Sequence, residues 1–109
     1  MTDVTDRNAL PTVHDTVVHM LQDASEHSPD AIALMAGATE LSYRDYASSI
    51  ATLAHRLVDL GAAGERIALV MGNSIDMAIA MFAIHAAGAQ AVPINPLYTA
   101  REVQYILRD

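Results

Sequence analysis

Apolar and polar positions change period several times along this chain, and each change marks an element. Val13, Val17, Val18, Met20, Leu21 and Ala24 fall on one arc of a helical wheel. Asp15, His19, Gln22, Asp23 and Glu26 fall on the other. The spacing predicts an amphipathic surface helix capped by Thr12, with Asp15 three residues on as a weak capping-box partner, ending near Ser28-Pro29. Residues 31–36 (AIALMA) are a short apolar run that suits a strand, and residues 37–40 read as a turn. Ser42 with Asp45 is a second capping box. Tyr43, Tyr46, Ala47, Ile50, Leu53, Ala54, Leu57 and Val58 then repeat at three and four residues, opposite Asp45, Ser48, Ser49, Thr52, Arg56 and Asp59. Gly61 stands just past this helix, where a left-handed residue is needed.

The second half reads as strand, helix, strand and the opening of another helix. Residues 67–71 are apolar throughout, as in the interior of a parallel sheet. Gly72-Asn73-Ser74 turns the chain, and Asn73 or Ser74 caps a helix over 75–87. Asp76 sits in its first turn, where the helix dipole favours an anion. That helix is apolar almost all round, so it must be covered on more than one side. Gly88 ends it, residues 90–94 form a third strand, and Asn95-Pro96 breaks the strand. The unit is βαβ, with a right-handed crossover expected. Thr99 with Glu102 opens a last helix on Ala100, with Val103, Ile106 and Leu107 on its apolar face. The sequence ends at Arg108-Asp109 without Gly, Asn or Pro as a stop, which leads us to expect more protein. Residues 1–11, polar and closed by Pro11, read as a flexible tail, and 109 residues allow one domain.

Charge narrows the partners. The net charge is -7, and all six cationic residues are Arg. A polyanion binder needs a basic patch, so nucleic acid and anionic membrane are not expected partners. Without Lys there is no P-loop cation and no Schiff-base amine. Without Cys there is no disulfide, zinc thiolate or thiol nucleophile. The N-terminus MTDVTDRNAL carries acids where a signal peptide needs basic and apolar residues, so a cytoplasmic location is expected. Residues 77–94 contain only His85 and Gln90 as polar side chains, close to the length of a membrane span. Gly88 and Pro93 punctuate the run and much of it is Ala, so it reads as a buried helix plus strand and no transmembrane segment is expected.

Candidate chemistry is thin. His14 and His19 are five apart, on different sides of a helix, whereas a helical metal pair needs a spacing of four. His27, His55 and His85 lie on separate elements, and His55 and His85 sit near helix C-termini that favour a cation. Gly72-Asn73-Ser74 follows a strand and opens a helix, the setting of an anion site, but carries one Gly and no Lys. Ser48 and Ser49 are mid-helix and lack the G-x-S-x-G turn of a hydrolase nucleophile. Asn95-Pro96-Leu97-Tyr98-Thr99 follows a strand's C-terminal end, where open α/β sheets place ligands, but reads first as a helix-entry loop.

At these residues a resemblance appears. Leu41-Ser42-Tyr43-Arg44, Asn73-Ser74, Ala86-Ala87-Gly88-Ala89, Val92-Pro93-Ile94-Asn95-Pro96, and Tyr98-Thr99 through Glu102 and Leu107 follow the order and spacing of the N-terminal part of AMP-forming adenylating enzymes. This family includes acyl-CoA synthetases, luciferases and the adenylation domains of peptide synthetases. The resemblance covers about residues 12–109, and Gly72 stands where Pro is common in the family. It implies an incomplete N-terminal α/β subdomain over 12–109, with the βαβ unit in a mainly parallel sheet and flanking helices. It implies a parent carboxylate–CoA ligase that activates a fatty or aromatic acid with ATP and magnesium as an acyl-adenylate, then passes the acyl group to a thiol, usually CoA. The phosphate loop ending in Pro-Lys-Gly, the adenine-binding strand, the ribose-holding Asp and the catalytic Lys have no counterpart here. No catalytic, cofactor-binding or metal residue is therefore assigned to this chain, and it is expected to bind no cofactor, to be inactive and to expose an apolar patch for the rest of the ligase. A free-standing non-catalytic α/β interaction module is the alternative, and a small nucleotide-binding protein a third reading.

Overall fold

The computed structural model describes residues 16–108. The order is α1 (Val17–His27), β1 (Ile32–Ala36), β2 (Thr39–Ser42), α2 (Tyr43–Asp59), β3 (Arg66–Val70), α3 (Ile75–Ala86), β4 (Gln90–Ile94) and α4 (Ala100–Arg108). The fold is α/β, and β3 and β4 pair in parallel with Arg66 opposite Gln90 and Val70 opposite Ile94. The expected βαβ unit is therefore present, with β3 starting one residue earlier than the apolar run suggests.

Two local readings are corrected. Thr16, not Thr12, caps α1: its backbone is extended (φ -142°), and its side chain accepts the His19 N–H at 3.2 Å. A residue in that conformation cannot continue a helix, so Thr16 sets the boundary. Thr12, Val13, His14, Asp15 and the tail over 1–11 lie outside the described residues, as does Asp109. Residues 37–40 are not all turn. Ala36 pairs with Thr39, so only Gly37 and Ala38 form the loop, and β2 pairs antiparallel with β1. Gly37 has φ +59° and stands first in the two-residue loop, where tight hairpins favour glycine. The register shifts between Ile32 and Leu34, and both Ala33 and Leu34 pack on the helical core.

The remaining caps follow the sequence. Ser42 accepts the Asp45 N–H at 3.2 Å, and Gly61 (φ +83°) closes α2. Ser74 rather than Asn73 caps α3, accepting the Met77 N–H at 3.1 Å. Thr99 and Glu102 form a reciprocal box: the Glu102 N–H reaches Thr99 Oγ1 at 3.3 Å, and the Thr99 hydroxyl donates to Glu102 Oε1 at 3.0 Å.

Helix α3 organises the core. One cluster joins Leu21 of α1, Tyr46, Ile50 and Ala54 of α2, and Ala83 of α3. A second joins Ala80 and Ile84 of α3 to Leu69 of β3, with Ile67 and Ala91 against it. The all-round apolarity of α3 is thus used on both sides, as its sequence requires. Tyr46 fixes the α2–α3 contact with a hydrogen bond to the Ala78 carbonyl (2.9 Å) and an edge-on packing of its ring against Phe82 (centroids 5.8 Å apart). Burial and the neighbouring Tyr43 push the Tyr46 phenol above its ordinary range. Val17 and Met20, expected on the buried arc of α1, stay half exposed, because α1 meets the core chiefly through Leu21.

Two outcomes test this core. Ile84→Ala, at a side chain 1% exposed, should lower unfolding free energy by about 2–4 kcal/mol in urea titration, while Leu97→Ala, at one 88% exposed, should change it by under ~0.5 kcal/mol. Tyr46→Phe should cost about 1 kcal/mol and Tyr46→Ala about 3–5 kcal/mol, a gap that separates the hydrogen bond from the ring packing.

Candidate functional site

The C-terminal ends of β3 and β4 carry two adjacent connections, residues 71–74 into α3 and residues 95–99 into α4. This edge is where an open α/β sheet places a ligand. The local chemistry of both loops is directed inward on the loops themselves. In the first, Ser74 Oγ accepts the Met77 N–H and its hydroxyl donates to the Gly72 carbonyl at 3.3 Å. Asp76 adds a negative charge in the first turn of α3, which opposes an incoming anion there. In the second, Asn95 Oδ1 accepts the Leu97 N–H at 2.9 Å, and the Asn95 carbonyl accepts the Tyr98 N–H at 3.1 Å. Pro96 occupies the position of that turn that prefers its fixed φ. Both segments are helix-entry turns whose capping groups are engaged.

The histidines do not converge. His27 lies in the last turn of α1, where its Nδ1 sits 2.9 Å from the Asp23 carbonyl and 3.2 Å from the Asp23 carboxylate. The hydrogen bond to the Asp23 carbonyl, then the Asp23 charge, raise its pKa above the usual imidazole value. His19 Nδ1 is 3.2 Å from Thr16 Oγ1. His19 and His85 line one shallow groove with Val18 and Ala86, two imidazoles with no third ligand among the described residues. His55 lies on α2, and His14 is outside the described residues. Among the described residues no three His, Cys, Asp or Glu side chains gather to hold a metal ion.

Electrostatics agree with that geometry. Among the described residues no charged side chain is buried, and the one phenol raised by burial, Tyr46, belongs to the α2–α3 core rather than to a cleft. Ser48 and Ser49 lie mid-helix in α2, and the Ser48 carbonyl accepts the Thr52 hydroxyl at 3.0 Å. An open groove of about 640 Å³ runs along α4, lined by Tyr98, Arg101, Glu102, Tyr105 and Arg108 among others. Among the described residues it is the flank of one helix and its entry loop, with no facing wall from another element. The arrangement can hold two loops at fixed spacing, and no reaction step is derived from it.

Comparison with known proteins identifies what this scaffold is. The sequence pattern of the AMP-binding enzymes matches residues 21–109. The chain is 33% identical over 99 residues to phosphinothricin tripeptide synthetase PhsC of Streptomyces viridochromogenes, covering 90% of this chain and 9% of that protein. It is 34% identical over 91 residues to a medium/long-chain-fatty-acid–CoA/3-oxocholest-4-en-26-oate–CoA ligase of Mycobacterium marinum, covering 79% of this chain and 16% of that one. The fold matches the N-terminal subdomain of Klebsiella oxytoca NpsA, solved in complex with 3-hydroxyanthranilyl-AMSN, with a TM-score of 0.79 and 27% identity. That match covers 84% of this chain and 24% of the NpsA chain. The chain thus spans under a quarter of the length of each of these proteins. It belongs to the AMP-binding, adenylate-forming enzyme family, and its α/β fold matches part of the N-terminal subdomain of an adenylation domain.

Proposed function

We propose that this chain is the N-terminal scaffold of an ATP-dependent, AMP-forming carboxylate–CoA ligase. In the parent enzyme a carboxylate takes the adenylyl group of ATP and pyrophosphate leaves. The thiol of CoA then takes the acyl group and AMP leaves. Magnesium supplies charge neutralisation on the phosphates of ATP, and its ligands belong to other parts of the enzyme. The observation that supports the reading is the family match over residues 21–109 together with the likeness to the NpsA N-terminal subdomain. The similar Mycobacterium marinum protein is named as a fatty-acid–CoA ligase, which favours CoA as acceptor and a fatty acid as substrate. An aromatic acid is the neighbouring choice.

A second reading rests on a separate observation. The likeness to a tripeptide synthetase extends over 90% of this chain. It favours the same adenylation directed at an amino acid, with the acyl group kept on the synthetase rather than released as acyl-CoA.

On either reading the 109 residues contribute packing and loop placement, not chemistry. The chain's partner is the remainder of the ligase, which brings ATP, magnesium and the acceptor thiol together. A cytoplasmic location goes with this role. Among the described residues no helix is long and apolar enough to cross a membrane.

The isolated 109-residue chain should give ATP–pyrophosphate exchange at the no-enzyme background with fatty, aromatic and amino acids alike. It should also give a flat calorimetric titration with ATP and magnesium. Exchange above background would sink the scaffold reading. With the intact polypeptide, free acyl-CoA formed from acid, ATP and CoA supports the ligase, and an acyl group retained on the protein supports the peptide-synthetase reading.

A further inference from the structure

The side-chain oxygens of Ser74 and Asn95 bond within their own turns, and the hydroxyl of Tyr46 does not. Tyr46 is 4% exposed, and its hydroxyl donates to the Ala78 carbonyl of α3, 32 residues away in sequence, at 2.9 Å. A phenylalanine ring would make the same edge-on contact with Phe82 and fill the same cluster beside Ile50 and Ala83. The hydroxyl adds direction to that contact, because a hydrogen bond is selective in distance and angle where apolar packing is not.

Ala78 passes the constraint on. It lies in the opening of α3, and its own N–H bonds the Ser74 carbonyl at 3.1 Å. Ser74 Oγ accepts the Met77 N–H at 3.1 Å, and the Ser74 hydroxyl donates to the Gly72 carbonyl at 3.3 Å. A run of hydrogen bonds thus leads from the buried phenol to the 71–74 turn at the C-terminal end of β3. The other end of the run is anchored as well. Where α2 begins, the Tyr43 N–H bonds the Ala31 carbonyl and the Arg44 N–H bonds the Pro29 carbonyl, each at 2.9 Å. Tyr46 reaches across from a turn that is itself held.

The flank of α3 has little else to fix its register against α2. It offers Ala78 and Ala83 beside Ile79 and Phe82, and alanine methyls mark no position along a helix. Slippage by one residue moves a helix about 1.5 Å along its axis. At the start of α3 such a shift changes the spacing between residues 71–74 and residues 95–99, which leave β4 instead. Misplacement of about 1 Å remote from a bound substrate is enough to weaken its fit.

We propose that Tyr46 is a positioning residue of the parent enzyme. Through the Ala78 carbonyl and Ser74 it sets where the 71–74 turn stands relative to the 95–99 loop, and so the fit of the acid substrate bound at this edge of the sheet. This rests on the reading that the chain is part of an adenylate-forming ligase, with its substrate where the parallel strands end. Tyr46 itself touches no substrate.

Steady-state kinetics of the intact natural polypeptide carrying Tyr46→Phe, measured well below its melting temperature, test this. KM for the carboxylic acid should rise roughly three- to tenfold, the span of one lost hydrogen bond, with kcat changed less than about twofold. A merely structural hydroxyl would lower the amount of folded enzyme, which lowers apparent kcat and leaves KM alone. Ser74→Ala cuts the same run near the surface and should raise KM similarly. The double variant should then be no worse than the larger single effect, because both changes break one run. Thr52→Val removes a hydroxyl-to-carbonyl bond inside α2 and should leave KM unchanged. An unchanged KM in Tyr46→Phe, additive effects in the double variant, or an equal rise in Thr52→Val overturns the positioning role and leaves the ligase reading standing. An intact wild-type polypeptide that forms no adenylate from fatty, aromatic or amino acids overturns the ligase reading, and the role with it.

Discussion

The contact between α2 and α3 is the constraint on which the rest of this structure depends. Helix α3 offers almost no polar side chain after its first turn, so it is stable only when surrounded. Its small residues decide what can surround it. Ala83 is fully buried and lets α2 approach closely enough for Tyr46 and Ile50 to reach the same cluster. Ala80 and Ile84 turn towards Leu69 and bring the parallel strands onto the other flank. One helix thus joins a helical layer to a sheet, and both βα loops inherit their positions from it. The Tyr46 hydroxyl on the Ala78 carbonyl sets how far α2 can slide along α3. A dispersion contact alone is less selective about that register.

Much of this was legible from residue spacing because the physics involved is local. Periods of three and four residues gave α2 and α3, an unbroken apolar run gave β3, and Thr99 with Glu102 marked the entry to α4. What escaped is equally physical. Strand β2 is four residues long with Thr39 and Glu40 exposed, so it has no apolar signature of its own and exists through pairing with β1. The α1 cap moved because Thr12 and Thr16 are both good capping residues, and only the extended backbone at Thr16 discriminates between them. The choice between Asn73 and Ser74 was open for the same reason. The bulge that lets Ala33 and Leu34 both meet the helical core has no marker in sequence.

The functional side divides differently. The family was legible because motif order survives in turns and caps, where Gly61, Gly88, Pro96 and the Thr99–Glu102 box answer backbone demands. Those demands belong to the scaffold, so recognising them names the architecture without locating the chemistry. The candidate loops show why. The oxygens of Ser74 and Asn95, the two side chains best placed at the strand ends, accept hydrogen bonds from the nearby backbone. An oxygen that holds a turn in this way fixes the path of the chain.

The exit from β4 carries that distinction one step further. The Gln90 N–H bonds the Glu65 carbonyl at 2.9 Å, and alternate residues of a parallel strand face the same neighbour, so Pro93 lies on the outer edge of β4. Its missing N–H therefore takes nothing from the pair it belongs to, and leaves that edge without a donor in the middle of the strand. The same Pro93 begins the sharp exit that leads through Asn95-Pro96 to α4. Strand termination and edge protection therefore come from five consecutive residues, 92–96. That economy explains why the stretch is so recognisable while it contains no reactive group.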